Sequence, residues 1–569
     1  MDLDGEALLA EARAWLEVDP DPGTRAELSA LIDAGRLEEL GDRFGPPLRF
    51  GTAGLRGVVG AGPSRMNRST VERATRAVAE YLLDRNAGAG APSVVVGFDA
   101  RLTSRVFAEA AIRVLTTSGV EVRFFAEPCP TPLVAYAARE LSADAAIVVT
   151  ASHNPAEYNG YKLYGGDAVQ IVPPVDMEIE RRMRDLGVAP PRAVAPARAE
   201  LVPDAIAERY LSRIDAERPR SGAMRSLSIV YTPLHGVGGD LAMRALGRAG
   251  FTDVAVVPEQ AAPDGAFPTA RSPNPEEPGT LALALALAAK RDAKLVLAND
   301  PDADRLAVCV RANAGYRVLN GNEIGLLLAD FVLEHAPAAP RPLVVSSIVS
   351  SPMLAGIARA RGALHETTLT GFKWIWTAAL ALERQQGVRF VFGYEEAIGY
   401  SVGRAVRDKD GINAAVWFAE LAASCAGAGT TVLDRLAALH RRHGLWASAQ
   451  HTITRSGADG ATEIAASLDL AVRKPPATVA GRAVTAVVDY GRGAEQRPPW
   501  LPDSPLVLLR LGHEGRVLVR PSGTEPKLKI YADLRRDVAE TDSLWQVEAE
   551  LRADARRAAR SLASHLGFE

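Results

Sequence analysis

Short apolar, β-branched runs alternate with helical stretches along this chain, and that rhythm restricts it to α/β units built on parallel or mixed sheets. Ser93–Gly97 reads as a strand, Arg105–Ser118 as a helix, and Val120–Phe125 and Asp144–Thr150 as further strands. The pattern resumes with Leu227–Tyr231, a helix near 239–249, Val254–Val257, a helix near 279–291 and Lys294–Asn299. It returns with strands at Leu343–Ile348 and Val388–Phe392. A last segment, with strands near 506–511, 516–520 and 528–534 and a long C-terminal helix, reads as α+β. Two amphipathic stretches, 5–18 and 22–40, read as a helical extension ahead of the first strand.

With 569 residues the chain is too long for one core, so roughly three to five domains are expected. Pro/Ala-rich Ala189–Ala197, Ala336–Pro342 and the Gly-rich residues 426–429 suggest the breaks. They give a helical extension over 1–40 and domains over 41–212, 213–332, 333–445 and 446–569. The chain is 47% apolar and 24% charged with a net charge of -4, which gives no electrostatic case for nucleic acid or an anionic membrane. Cys129, Cys309 and Cys425 form no CxxC pair, so neither a disulfide framework nor a zinc cluster is expected. The acidic N-terminus lacks a signal-peptide pattern, and Leu281–Ala289, taken as the most apolar helical candidate, is too short to span a bilayer. The expectation is a cytoplasmic protein. Lysine is rare, eight of 65 basic residues, and Lys162, Lys373, Lys409 and Lys527 all fall in the motifs below. A retained lysine marks a place for a compact ammonium that can also lose its proton.

Ligands of open α/β sheets bind beyond the carboxyl ends of strands, and four polar loops stand there, one in each expected domain. The first is Ala146-Ile-Val-Val-Thr-Ala-Ser-His-Asn-Pro155, continuing through Tyr158-Asn-Gly-Tyr-Lys162. Ser152 shares it with His153 and Lys162, and Lys162 could shuttle a proton if neighbouring positive charge depresses its pKa. The second is Leu295-Val-Leu-Ala-Asn-Asp-Pro-Asp-Ala-Asp-Arg305. Asp300, Asp302 and Asp304 repel one another unless a hard cation such as Mg²⁺ neutralises them. The third, Phe390-Val-Phe-Gly-Tyr-Glu-Glu-Ala-Ile-Gly-Tyr400, places Glu395 and Glu396 where carboxylates can grip vicinal hydroxyls, with Lys373 and Lys409 in nearby segments. In the fourth, Val517-Leu-Val-Arg-Pro-Ser-Gly-Thr-Glu-Pro-Lys527, the residues Arg520, Ser522, Gly523, Thr524 and Lys527 make a phosphate cradle by composition. An Asp-nucleophile phosphohydrolase also fits Asp-x-Asp after a strand, although Asp304 stands where such enzymes want Thr or Val. A non-catalytic phosphosugar sensor has little use for Ser152, the acidic triad and Lys162 together.

In this order and spacing the four loops resemble the α-D-phosphohexomutase family of phosphoglucomutases and phosphomannomutases, from about Arg49 to Tyr531. Phe50-Gly-Thr-Ala-Gly-Leu-Arg-Gly57 is similar to the family's opening motif, whose arginine, here Arg56, faces the phosphoserine. The resemblance implies four domains around a central cleft, three similar α/β domains with mixed sheets and a smaller C-terminal α+β domain. It implies Ser152 as the phosphorylated nucleophile, Lys162, His153 and Arg56 beside it, and Mg²⁺ on Ser152, Asp300, Asp302 and Asp304. It further implies Arg305, Lys373, Glu395, Glu396, Lys409, Arg520, Ser522, Gly523, Thr524 and Lys527 on the substrate, and a sugar bisphosphate as intermediate and activator. The expected partners are small sugar phosphates, with the protein a monomer or a homodimer. Many members carry Glu-Glu-Ser or Glu-x-Ser-Gly-His where this chain has Ala397 and Tyr400. Glu-Glu-Ala-Ile-Gly-Tyr followed by Asp-Lys-Asp-Gly resembles the longer branch with phosphopentomutase-type members, so the sugar stays open between glucose, mannose and a pentose.

Overall fold

The computed structural model describes residues 5–51, 54–88, 90–186, 197–219, 225–455, 458–521 and 527–568. They pack as two compact units, the first within 1–220, 225–318 and 399–419, the second within 319–398 and 420–569.

The first unit opens with three helices, α1 (Gly5–Val18), α2 (Pro22–Asp33) and α3 (Leu37–Arg43). The expected helix over 22–40 is thus two, because the chain turns at Gly35, whose φ is +62°. Leu8, Ala12, Trp15, Leu28, Leu40 and Phe44 form their core, together with Ala61.

A mixed sheet follows, made of β1 (Leu55–Val58), β2 (Ser93–Phe98), β3 (Glu121–Phe124), β4 (Ala145–Val149), β5 (Tyr158–Gly165) and β6 (Ala199–Leu201). Its order is β1-β5-β4-β2-β3-β6, parallel from β4 to β6 and antiparallel from β1 to β4. Helices α4 (Arg68–Arg85), α5 (Ser104–Thr117), α6 (Thr131–Glu140) and α7 (Val175–Asp185) surround it. Alternate strand residues Val94, Val96, Ile147 and Val149 share one core with Val71, Val78, Phe107, Leu115 and Ile179 of α4, α5 and α7. Period-2 alternation on a sheet covered on both faces gives β4 its unbroken apolar run.

The second sheet of this unit runs β11-β10-β9-β7-β8. Its strands are β7 (Ile229–Thr232), β8 (Val254–Val256), β9 (Leu295–Ala298), β10 (Ala307–Arg311) and β11 (Tyr316–Leu319). Cys309 lies buried in β10.

In the second unit β12 (Pro342–Ser347) lies parallel to β13 (Leu364–Thr368) and β14 (Arg389–Glu395). Strand β15 (Gly399–Val402) belongs to the first unit. The C-terminal domain adds β16 (Leu445–Thr454), a small hairpin of β17 (Thr478–Val479) and β18 (Arg482–Ala483), then β19 (Ala486–Asp489), β20 (Val507–Arg510), β21 (Gly515–Pro521) and β22 (Lys527–Arg536). Its antiparallel sheet, β16-β22-β21-β20-β19, carries the helix Leu544–His565, which buries Leu551, Ala555 and Leu562 against Ile453 and Ile530. Ile348 and Val349 meet Leu506, Leu508, Leu518 and Tyr531 in a separate apolar cluster that joins this sheet to the β12 domain.

Among the described residues the most apolar helix is Gly411–Gly427 rather than 281–289. Among the described residues no single helix is long and apolar enough to cross a membrane. The linker at Ala189–Ala197 falls almost wholly outside the described residues.

Candidate active site

Strand β4 ends at Val149, and three residues later Ser152 has φ +54°, a left-handed conformation that costs a non-glycine residue about 1–3 kcal/mol. Arg101 supplies much of what holds it there. Its Nη2 donates to the carbonyls of Ser152 at 2.7 Å and Asn154 at 2.5 Å. Its Nη1 donates to those of Pro155 at 2.7 Å and Tyr158 at 2.9 Å. Arg101 is fixed in turn by an ion pair with Asp99 at 3.2 Å, both side chains being buried. Asp99 also accepts from Ser104 Oγ and Thr150 Oγ1, and Thr150 Oγ1 accepts from the Ser152 amide at 2.9 Å. From β1, Arg56 Nη1 donates to Asn154 Oδ1 at 2.9 Å. Burial first, then Arg305, pulls Arg56 down to about 10, which leaves it a cation at neutral pH.

The acidic loop follows β9 and is shaped by Asn299, which accepts from Tyr231 Oη at 2.8 Å and donates to the Arg305 carbonyl at 2.6 Å. The Gly411 amide closes on the Ala303 carbonyl at 3.1 Å, and a Cβ at Gly411 would lie 2.2 Å from the Arg305 carbonyl oxygen, so only glycine fits. The loop brings one carboxylate oxygen from each of Asp300, Asp302 and Asp304 within 4.8 Å of the others, all buried.

Ser152 Oγ donates to Asp300 Oδ2 at 2.7 Å. Lys162 Nζ donates at 2.7 Å to both Asp302 Oδ2 and Asp304 Oδ2, and Lys409 Nζ stands 3.1 Å from Asp304 Oδ2. Thr131 Oγ1, at the start of α6, donates to Asp302 Oδ2 at 2.7 Å. Burial, reinforced by Asp302 and Asp304, pushes Asp300 well above the usual carboxylate range. Burial acts the same way on Asp304, but Lys162, Lys409 and Arg305 outweigh it and hold that group low. Two buried oxygens, Asp302 Oδ1 and Asp304 Oδ1, have no hydrogen-bond partner. Orphaned anionic oxygens in a cluster of this size fit a hard cation such as Mg²⁺.

Lys162 corrects the sequence reading twice. It lies within β5 rather than in the Ser152 loop. Its pKa is raised, not depressed: burial works against the ammonium, and Asp302 and Asp304 overcome it. His153 Nδ1 lies 3.2 Å from Ser152 Oγ, and burial, then Arg305 and Arg56, keep its ring well below the usual histidine range. Arg305 donates its amide to Asp300 Oδ1 at 3.0 Å, and its Nε lies 3.9 Å from both Asp300 Oδ2 and Asp304 Oδ1.

In the second unit Glu395 ends β14 and accepts from the Gly371 amide at 2.6 Å, while Glu396 accepts from Ser347 Oγ at 3.2 Å. Gly371 has φ +122° and opens the helix Phe372–Gln386, whose second residue is Lys373. Arg520, on β21, lies over the Tyr531 ring and donates to its hydroxyl at 3.4 Å. Burial opposes the Arg520 charge, and Tyr531, Glu396 and Glu395 outweigh it. Lys527 begins β22, and Ser522, Gly523 and Thr524 lie outside the described residues.

Sequence reasoning passed over Asp99, Arg101, Thr131, Thr150 and Asn299. Asp99 and Arg101 follow a strand, as the four loops do, and that position was the available signal.

Residues 47–187, 208–315 and 320–442 match the alpha/beta/alpha domains I, II and III described for phosphoglucomutase/phosphomannomutase, and 483–558 match its C-terminal domain. The chain is 35% identical to the phosphopentomutase of Mus musculus over 92% of this chain and 90% of that one. It is 33% identical to the phosphoglucomutase of Staphylococcus haemolyticus, over 87% of this chain and 91% of that one. Other relatives are named phosphoribomutase and glucose 1,6-bisphosphate synthase. A phosphoglucomutase/phosphomannomutase family protein from Burkholderia thailandensis shares the fold with a TM-score of 0.67, at 22% identity, over 91% of this chain and 97% of that one. With all four domains matched in order, this chain belongs to the phosphoglucomutase/phosphomannomutase family and is a phosphomutase, an intramolecular phosphotransferase of a Mg²⁺-dependent family.

Proposed function

We propose that the enzyme interconverts the 1-phosphate and 6-phosphate of glucose, accepts mannose in the same way, and also converts pentose 1-phosphates to 5-phosphates. The observation that carries the chemistry is the Ser152 hydroxyl, 2.7 Å from Asp300 in the buried cluster that holds Lys162, Asp302 and Asp304. Phospho-Ser152 gives its phosphoryl to the free hydroxyl of a sugar monophosphate. A sugar O–P bond forms, the Oγ–P bond breaks and the hydroxyl proton passes to Ser152 Oγ, with Lys162 the assigned shuttle once a cation on Asp302 and Asp304 would draw their charge away from its ammonium. The bisphosphate reorients and returns its other phosphoryl to Ser152. A Mg²⁺ ion held by Asp300, Asp302, Asp304 and a Ser152 phosphoryl oxygen would neutralise charge on the group in transfer. Arg56 and Arg305 balance the same charge, and Lys409 fixes Asp304. Glu395, Glu396 and Lys373 are assigned to the sugar, and Arg520, Ser522, Gly523, Thr524 and Lys527 to the phosphate that is not reacting.

The breadth of substrate rests on Ala397, which offers no hydroxyl where many members have serine, and on relatives named for both pentose and hexose substrates. Fewer obligatory hydrogen bonds leave fewer unpaired groups when a substrate lacks one hydroxyl. The test is kcat/KM for glucose, mannose, ribose and deoxyribose 1-phosphates with the matching bisphosphate present. Discrimination above about 10⁴ between glucose and ribose 1-phosphates, the size of strict hydroxyl readout, refutes the broad reading.

A further inference from the structure

A small cleft opens where the segment before β1 meets α4 and α7, lined by Pro47, Leu48, Arg49, Arg73, Glu180, Met183 and Arg184. Three of these residues are arginines and one is a carboxylate, so the cleft carries a net charge of +2. The carboxylate does not neutralise them. Glu180 Oε1 is occupied by the Phe50 amide at 2.7 Å, and none of the three arginines forms an ion pair or hydrogen bond with any described residue.

Several helix-surface arginines nearby are laced to acids, as Arg181 is to Glu178 and Asp185, Arg182 to Asp84, and Arg68 to Glu72. Arg73 stands apart most clearly. Its Nε is buried with no partner, and burial alone pulls its pKa below the ordinary arginine value. A cation buried without an anion costs free energy, and a guanidinium presents its donors in a fork that suits the oxygens of phosphate.

We infer that this cleft is a second oxyanion site, separate from the phosphoserine loop, which takes a phosphate-class anion on Arg49, Arg73 and Arg184. Its volume, about 60 Å³, compares with roughly 10–15 Å³ for one water and admits a phosphoryl group but not a sugar ring. The ligand is therefore orthophosphate, or the phosphoryl end of a larger molecule whose remainder lies in solvent. The site borders Phe50, at the root of the strand that carries Arg56.

The test is equilibrium dialysis of radiolabelled orthophosphate against the full-length protein in Mg²⁺ and chloride. Wild type is compared with R73Q and with the double variant R49Q/R184Q, whose two positions are exposed and leave the fold alone. Binding in the catalytic region is common to all three and cancels. Wild type is expected to take up about one equivalent more than either variant, or to hold it at least tenfold more tightly, with mutase activity in phosphate-free buffer within twofold of wild type. Displacement of that extra equivalent by a nucleoside or sugar monophosphate at lower concentration than orthophosphate identifies an ester as the ligand. The reverse order identifies the free ion. Superimposable isotherms for wild type and both variants overturn the proposal.

Discussion

Replacing Arg101 by methionine removes four donors from the phosphoserine loop while keeping most of the side-chain volume. The bonds lost run to the carbonyls of Ser152, Asn154, Pro155 and Tyr158, at 2.5–2.9 Å. The larger effect comes from Asp99, which is left as a buried carboxylate without its cation. Breaking a buried ion pair in this way costs about 3–5 kcal/mol. Asp99 keeps the hydroxyls of Ser104 and Thr150, which places the expected loss at the lower end, about 3 kcal/mol. The loop then relaxes from the left-handed conformation at Ser152, and a displacement of about 1 Å at a reacting atom costs on the order of 10² in rate. Arg101 makes no contact assigned to the sugar, so kcat should fall about 10² with KM within threefold. Denaturant unfolding and a coupled mutase assay on R101M read the two effects separately. Adding D99N to R101M removes the uncompensated charge and should restore more than 1 kcal/mol of stability without restoring kcat. If R101M kept kcat within threefold of wild type, the loop would be self-supporting and this reasoning would be wrong. A rise in KM at constant kcat would refute it equally.

Purified enzyme should carry phosphate on Ser152, and S152A should lose almost all turnover while staying folded. Peptide mass spectrometry that finds phosphate only at another residue excludes the assignment. Chelation should abolish activity and Mg²⁺ restore it, and D302N should raise the Mg²⁺ concentration needed for half-maximal activity by at least tenfold; full activity of that variant in chelator removes the metal from the proposal. His365 is held at about 4 by burial and then by Arg516, with Ser346 Oγ 3.0 Å from its Nε2. Its folded pKa lies below the unfolded 6.5, so the stability it contributes is complete above pH 6.5 and is lost as pH falls toward 4. Between pH 7.5 and 5 that is about 2 kcal/mol. H365N should therefore show a smaller acid loss than wild type in urea titrations, and identical pH dependence would refute the linkage.

The parts of the site legible in the sequence are those whose partners are near in the chain. Asp300, Asp302 and Asp304 announce themselves because three acids after an apolar strand have no ordinary packing role, and Ser152 because it stands at the same kind of strand end. Lys162 looked like part of a loop because Tyr158-Asn-Gly-Tyr reads as a turn. Pairing on both sides, with β1 and with β4, makes that stretch a strand, and tertiary pairing is invisible to local composition. The same separation hid Arg101, whose carbonyl partners lie 51 to 57 residues away, and Thr131, 171 residues from Asp302. The expected sign of the Lys162 shift failed for a related reason, since its carboxylate neighbours come from a loop 140 residues downstream. In the C-terminal domain β16 escaped notice although its burial alternates, because small or polar Ala447, Ala449 and His451 hold most of the inward positions and give the sequence no run of large apolar side chains.

The third family segment runs from 320 to 442, yet residues 399–419 fold with the first unit. There Asp408 accepts from Tyr164 Oη at 2.6 Å and Gln170 Nε2 at 2.7 Å, and Asp410 accepts from Tyr210 Oη at 2.8 Å. A gene fragment ending at the second domain boundary would strip those acids from three buried partners and take Lys409 from Asp304. Swapping the third domain between relatives would likewise exchange part of the acidic loop's own surroundings, so chimaeras cut at the family boundaries combine mismatched halves of one core. A minimal version of the first unit must instead join 318 directly to 399 and end near 419. The heritable module and the cooperative module are, in this enzyme, different stretches of polypeptide.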